Sequence, residues 1–184
     1  MIAKRSFLVT LSAAVLLLAA VLNPTGAGAA TNRPMPAPVV QTVNGVSGAF
    51  VSRAYQSAHP GYVQSLLGQL AGRPAGRPAA GMIPNSHYGC NHAVCIDVEG
   101  SGTHVTYWAT DIVGNYGCTK AFFDSRHGQL PAYETEWGPQ ICSNGQSGTY
   151  ISYYGNVPND WPNGDQLCNG WIRVTGYACA TIIA

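Results

Sequence analysis

The chain has 184 residues, nine of them basic and eight acidic, which gives a formal net charge of +1. The basic residues are few and dispersed, and this argues against a nucleic-acid-binding protein. The near-neutral total conceals an asymmetry, because residues 31–84 contain four arginines and no acid whereas residues 85–184 contain three bases and all eight acids.

Residues 1–30 have the pattern of a secretory signal peptide. Lys4 and Arg5 precede an apolar run from Phe7 to Leu22, and small residues around Ala29 offer a cleavage site. The apolar run is shorter than the roughly 20 residues that a helix needs to span a bilayer. We therefore expect export to a secreted, extracellular location and no membrane attachment after the signal is removed.

Residues 31–84 form the second predicted segment, a basic arm rich in proline, alanine and glycine. Apolar residues recur at helical spacing from Val46 to Ala58 and again from Tyr62 to Leu70, which predicts two short helices separated by Pro60. A tandem Ala-Gly-Arg-Pro sequence at 71–78 then indicates a linker. We interpret the segment as a tethering arm; the alternative is a pro-segment that docks on the acidic residues downstream.

The third segment, residues 85–184, contains every cysteine of the chain: Cys90, Cys95, Cys118, Cys142, Cys168 and Cys179. An even number of cysteines behind an export signal indicates disulfides, since small extracellular domains bury too little apolar surface to be stable without cross-links. Six cysteines allow fifteen pairings. A tight hairpin around Thr175-Gly176 would place Ile172 opposite Cys179, which argues against a Cys168–Cys179 bond.

The same segment has the pattern of a mainly β domain. Short runs of β-branched and aromatic residues alternate with turn-forming stretches, which predicts an antiparallel β-sandwich or small barrel stabilised by disulfides. In one of these strands Val94, Ile96 and Val98 share the face expected to enter the core. Cys95 lies on the other face and is expected to bridge to a neighbouring strand or loop.

Two constellations have alternative chemical interpretations. The run from His87 to Cys95 has cysteine and histidine at close spacing and could hold zinc, but in an oxidising compartment the cysteines are better explained as disulfides. Ser147 is flanked by glycine, and His92 or His104 with Asp111 precede it in the chain order of a serine-protease triad. A glycine-rich hairpin loop explains that serine better. We expect no metal and no cofactor.

Glu134 and Glu136 are the candidate catalytic residues. They lie two apart in a predicted strand and so project from one face, with about 6.5–7 Å between their backbone positions. Two carboxyl groups at such a separation can act as the acid and the base or nucleophile of a glycosidase. Tyr133, Trp137 and Trp108 could supply a surface on which a sugar stacks.

Aromatic residues interleaved with asparagine, glycine and threonine indicate a recognition surface near the end of the chain. Rigid aromatic side chains beside amide and hydroxyl groups bind polar ligands at a low entropic cost. The proline-stiffened loop at 155–165 places a tryptophan among polar residues, where we expect it to be exposed. The predicted binding residues are Trp161, Tyr153, Tyr154, Trp171 and Asn159.

Three short stretches carry a resemblance. They are Cys95-Ile96-Asp97-Val98, Cys168-Asn169-Gly170-Trp171 and Cys179-Ala180-Thr181-Ile182, and the sequence around them resembles small cysteine-rich proteins of unknown function that are exported by high-GC Gram-positive bacteria. This resemblance implies secretion and a β fold, and it implies no activity.

Taken together, these patterns predict a secreted, non-enzymatic recognition module. Its expected partner is a cell-wall polysaccharide or another secreted protein, the latter implying an inhibitor or antimicrobial role, and no nucleic acid. The alternative is a small secreted hydrolase that uses the carboxylate pair.

Overall fold

A computed structural model of the chain describes residues 35–72, 87–127, 134–158 and 160–184. The expected signal peptide and most of the expected linker lie outside these residues. The described part forms one compact unit from Met35 to Ala184. Its elements are β1 (Gln41–Val43), β2 (Val46–Ser52), α1 (Arg53–Ala58), α2 (Tyr62–Leu70), β3 (His87–Asn91), β4 (Val94–Ser101), β5 (His104–Gly114), β6 (Cys118–His127), β7 (Glu134–Cys142), β8 (Gly148–Tyr154), β9 (Asp165–Trp171) and β10 (Tyr177–Thr181).

The strands form two antiparallel sheets that pack face to face, which confirms the predicted mainly β fold class. One sheet has six strands in the order β1-β2-β8-β5-β4-β3, and the other has four in the order β10-β9-β6-β7. Val94, Ile96 and Val98 are buried between the sheets as predicted, together with Trp108 and Phe123. Apolar and polar residues therefore alternate along β4 because the side chains on one of its faces are buried in the core.

Two short helices form a third layer on the outer face of the six-stranded sheet. Tyr55 of α1 and Leu66 and Leu67 of α2 are buried against Val51 and Ile151, which belong to β2 and β8. Helices this short are marginal on their own, so this apolar contact with the sheet is what stabilises them. No helix in the described part of the chain is long and apolar enough to cross a membrane.

The predicted arm differs from the structure at β1 and β2. The helix predicted from Val46 begins only at Arg53, whereas the second predicted helix, Tyr62–Leu70, is present. The strand β2 pairs along its length with β8, so residues on both sides of the expected boundary at 84/85 build one sheet. Helices cover one face of β2 and the second sheet covers the other, and this removes the simple alternation that marks a half-buried strand.

The six cysteines form three disulfides: Cys90–Cys95, Cys118–Cys142 and Cys168–Cys179. Each joins residues directly opposite on adjacent strands, namely β3–β4, β6–β7 and β9–β10. The expectation that Cys168 and Cys179 are not bonded was wrong, because β9 ends at Trp171 and the chain turns through five residues before β10. This longer turn sets Cys168 opposite Cys179.

No disulfide connects the two sheets, and two buried indole hydrogen bonds do so instead. Trp108 on β5 donates from Nε1 to Oδ1 of Asn169 on β9 at 2.6 Å. Trp171 on β9 donates from Nε1 to Oγ1 of Thr110 on β5 at 3.0 Å. The two bonds run in opposite directions and fix the position of β9 against β5.

Candidate functional site

The aromatic residues predicted to bind a ligand lie in the core. Trp161 is only 6% exposed, although it belongs to a polar loop. Its indole Nε1 donates to the carbonyl oxygen of Pro158 at 2.7 Å, and its ring packs edge-on against Trp108. The expected exposure of Trp161 was therefore wrong, because a local carbonyl satisfies its only polar atom and leaves the rest of the ring free to be buried.

The other predicted aromatics have similar surroundings. Trp171 and Tyr154 are buried between the sheets, and Tyr153 is buried under the helical layer. Asn159 lies outside the described residues. These burials remove the surface that was expected near the end of the chain.

A different set of aromatic side chains crosses the outer face of the four-stranded sheet. Trp137 on β7 is the register partner of Phe122 on β6, and Phe122 is that of Gly170 on β9. Gly170 in turn is paired with Tyr177 on β10. We call Trp137, Phe122 and Tyr177 the aromatic row.

The rings of the aromatic row are close neighbours. The centroids of Trp137 and Phe122 are 5.3 Å apart, and those of Phe122 and Tyr177 are 6.0 Å apart. Gly170 makes this spacing possible, because a Cβ atom there would collide with the Phe122 ring. Trp137, at the edge of the sheet, is 40% exposed. The row thus presents ring surface to solvent on paired strands.

A basic side chain lies near each end of the aromatic row. Lys120 and Arg126 alternate along β6 with residues that face the core. The Nζ atom of Lys120 lies 5.2 Å from the centroid of Trp137. The guanidinium carbon of Arg126 lies 4.7 Å from the centroid of Tyr177. Such cation–π contacts orient the cations and leave their charge in place.

Asp124 connects the side chains at the Tyr177 end. Thr135 Oγ1 donates to its Oδ1 at 2.7 Å, and the Tyr177 hydroxyl donates to its Oδ2 at 2.6 Å. Arg126 Nη2 donates to that hydroxyl and lies 3.8 Å from Asp124 Oδ2. Burial raises the pKa of Tyr177 above its ordinary value of 10, and Asp124 raises it further against the opposing effect of Arg126. Tyr177 therefore stays protonated, which holds its ring in the row.

The predicted catalytic pair, Glu134 and Glu136, lies on the opposite side of β7 from Trp137. Glu136 is the register partner of the core residue Phe123, so both carboxylates face the six-stranded sheet at the edge of the sandwich. Burial raises the pKa of Tyr154, and the charges of Glu136 and Glu134 raise it further. The two carboxylates thus lie within electrostatic reach of one buried phenol.

The stacking surface expected for this pair is not on its side of the strand. Trp137 faces the other way, Trp108 is buried in the core and Tyr133 lies outside the described residues. Ser125, the register partner of Glu134, is buried, and its hydroxyl has no hydrogen-bond partner among the described residues.

Two histidine–aspartate pairs belong neither to the aromatic row nor to the Glu134–Glu136 pair. His127 Nδ1 is 2.6 Å from Oδ1 of the buried Asp165, and His104 Nδ1 is 3.3 Å from Oδ1 of the exposed Asp160. A carboxylate on Nδ1 is how a triad orients its base, but neither imidazole is bonded to a hydroxyl in the described part of the chain. Ser147, in the turn before β8, is bonded to neither of them.

The structure offers little to a metal ion. Cys90 and Cys95 are bonded to each other and cannot serve as thiolate ligands. Within the described ranges no group of three or more histidine, cysteine, aspartate or glutamate side chains could hold a metal.

An open groove of about 950 Å³ lies between residues 35–39 and the turn at 143–147. Phe50, Tyr55 and Ile141 contribute its apolar lining, and Arg53 is the one charged side chain among its described lining residues. Polar residues such as Ser52, Asn144 and Gln146 also line it.

Sequence reasoning missed Phe122, Tyr177, Lys120 and Arg126 as functional candidates. A signal was present in β6, where Lys120, Phe122, Asp124 and Arg126 occupy alternate positions. That alternation places Phe122 on the same face as charged residues, where an apolar side chain has no reason to be buried.

Comparison with protein-family models, with curated proteins and with solved structures gives no significant match to this chain.

Proposed function

We propose that this protein is a secreted recognition module that binds polysaccharide on the outer face of its four-stranded sheet. The observation that carries this proposal is the aromatic row, with its rings 5.3 and 6.0 Å apart across neighbouring strands. Sugar rings have apolar C–H faces that pack on aromatic side chains, and consecutive rings offer consecutive stacking positions.

The polar groups beside the row support the same ligand class. The hydroxyl of Thr135 and the amides of Gln140 and Gln166 lie on strands that flank Phe122, at register positions on the same face. Amides and hydroxyls complement sugar hydroxyls, and a sheet holds them with little loss of conformational freedom on binding. Three disulfides support export, since such bonds persist in oxidising compartments.

Retention on insoluble polysaccharides tests the proposal. Trp137→Ala should weaken retention by about tenfold, which corresponds to about 1.4 kcal/mol. Tyr88→Ala is the matched control, because Tyr88 is 65% exposed on β3 of the other sheet. Retention of the wild-type protein on no polysaccharide, or an equal loss in both variants, would overturn the proposal.

A hydrolase is the second candidate function, and the placement of Glu134 and Glu136 on one face of β7 favours it. One carboxyl group would protonate the glycosidic oxygen while the other acts as base or nucleophile. Glu134→Gln and Glu136→Gln should each abolish glycan cleavage. Cleavage that survives in both variants would eliminate this candidate.

A further inference from the structure

Resting on the proposed function, we infer that the ligand of the aromatic row is an acidic polysaccharide, one that carries carboxylate or phosphate groups on its sugars. The position of the basic residues indicates a negatively charged ligand. Residues 85–184 contain only Lys120, Arg126 and Arg173 against eight acids. Lys120 and Arg126 both lie on the outer face of the four-stranded sheet.

The loop that contains Arg173 lies beside Lys120. Arg173 is exposed in this loop between β9 and β10, directly after Ile172. The backbone N–H of Ile172 donates to the carbonyl oxygen of Lys120 at 3.0 Å, and Thr119 Oγ1 donates to the carbonyl oxygen of Ile172 at 2.7 Å. The loop is thus bonded to β6 beside Lys120, so two of the three bases of a predominantly acidic segment lie on one face and the third follows directly after the bonded residue Ile172.

The negative charge on this face is engaged internally. Asp124 accepts hydrogen bonds on both carboxylate oxygens, from Thr135 and Tyr177, and its side chain is only 12% exposed. Glu134 and Glu136 alternate to the opposite side of β7. Lys120 forms no ion pair with a described residue. The Lys120 end of the face is therefore positive, because no described acid pairs with Lys120, whereas Asp124 offsets the charge of Arg126 at 3.8 Å.

The geometry couples this charge to sugar stacking. A sugar ring on Trp137 lies next to the Lys120 ammonium group, which is 5.2 Å from the centre of the same indole. An anionic substituent on that sugar would meet Lys120 without leaving the stacked position. Arg126 lies near the Tyr177 end of the row, where it donates to the Tyr177 hydroxyl and Asp124 offsets its charge, so Lys120 is the base that we assign to the anionic group.

A matched pair of polymers tests the inference: a uronic-acid polysaccharide and the same polymer after its carboxyl groups have been reduced to alcohols. The wild-type protein should bind the acidic form about tenfold more tightly at low salt, and the difference should shrink as salt screens the charges. Lys120→Gln should remove about fivefold of that preference. Arg53→Gln is the matched control, since it removes one exposed positive charge from α1 on the other sheet.

The outcomes separate the two proposals. Equal binding of the acidic and reduced polymers would overturn the acidic preference and leave polysaccharide recognition intact. Binding of neither polymer, nor of any other glycan, would overturn both. Equal losses in Lys120→Gln and Arg53→Gln would show an unspecific charge effect and overturn the assignment to this face. Trp137→Ala should weaken binding of both polymers to a similar extent.

Discussion

The crossed indole hydrogen bonds between the sheets make Thr110→Val an informative substitution. The hydroxyl of Thr110 accepts from Trp171 Nε1 at 3.0 Å and donates to the carbonyl oxygen of Cys95 at 2.7 Å. Valine has nearly the same shape, so the substitution opens little cavity. It leaves the indole N–H of Trp171 buried without an acceptor.

The expected loss of stability follows from that orphaned donor. An unsatisfied buried N–H costs about 1–3 kcal/mol, and we expect about 2 kcal/mol for Thr110→Val. In a domain of this size that corresponds to a decrease in Tm of about 4–8 °C. Thr119→Val is the matched control, because Thr119 is also buried but its hydroxyl only donates, to the carbonyl oxygen of Ile172. The control should cost about 1 kcal/mol.

Urea denaturation of the oxidised proteins, followed by indole fluorescence, measures both costs. Adding Trp171→Phe to the Thr110→Val protein removes the orphaned donor, so the double variant should lose about 1 kcal/mol less than the sum of the single losses. A Thr110→Val cost no larger than that of Thr119→Val, or strict additivity with Trp171→Phe, would refute the role assigned to this bond.

Three further predictions concern the disulfides, a partly buried acid and the helical layer. Replacing both cysteines of the β6–β7 disulfide by alanine should cost about 3 kcal/mol of stability, and the same change in the β3–β4 disulfide about 2 kcal/mol. The costs differ because the first bond closes a loop of 24 residues and the second a loop of 5, and a longer loop loses more entropy when it is closed. Urea midpoints in the reverse order would contradict this. Burial raises the pKa of Asp111 above its ordinary value of 3.8 in the folded protein. The protonated carboxyl group therefore favours the folded state below pH 3.8, and this stabilisation is lost as the pH rises through the higher folded-state pKa. Asp111→Asn should therefore stabilise the protein at pH 7 and not at pH 3, and a less stable variant at pH 7 would be evidence against this desolvation. Leu67→Ala should lower the free energy of unfolding by about 2–5 kcal/mol, because Leu67 is buried against the sheet. Gln64→Ala, at an exposed position of the same helix, should lower it by less than about 0.5 kcal/mol. Equal costs would show that α2 is not packed on the sheet.

The fold class was predictable from the sequence because strand alternation and turn residues are local signals. They identified the core face of Val94, Ile96 and Val98 correctly. The strand at Val46 was missed because its two covered faces imitate a helical pattern. A local signal did exist there, since Asn44-Gly45 between two valines is the typical sequence of a two-residue hairpin turn and both residues have positive φ.

The candidate site was less predictable because it depends on pairing between distant strands. Phe122 meets Trp137 through a register that shifts between Lys120 and Phe122, where β7 has one residue more than β6, and it meets Tyr177 only through Gly170 on an intervening strand. No local pattern specifies these registers. The burial of Trp161 was unpredictable for the same reason, because it depends on a tertiary contact, the packing of its ring against Trp108.

Alternate side chains of β6 face the core and the outer face on which we propose polysaccharide binding. Ala121 and Phe123 face the core, whereas Lys120 and Phe122 face outward, so the two sets of side chains share a backbone and few contacts. Lys120→Gln and Trp137→Ala remove partly exposed groups and open no internal cavity, so their urea midpoints should stay close to that of the wild-type protein. Substitutions in the inter-sheet bonds should shift the midpoint and leave polysaccharide retention unchanged under conditions where the protein is folded. If stability and retention instead fell together in both groups of variants, the outer face would be part of the stabilising core, and the aromatic row would be a packing feature that covers Gly170.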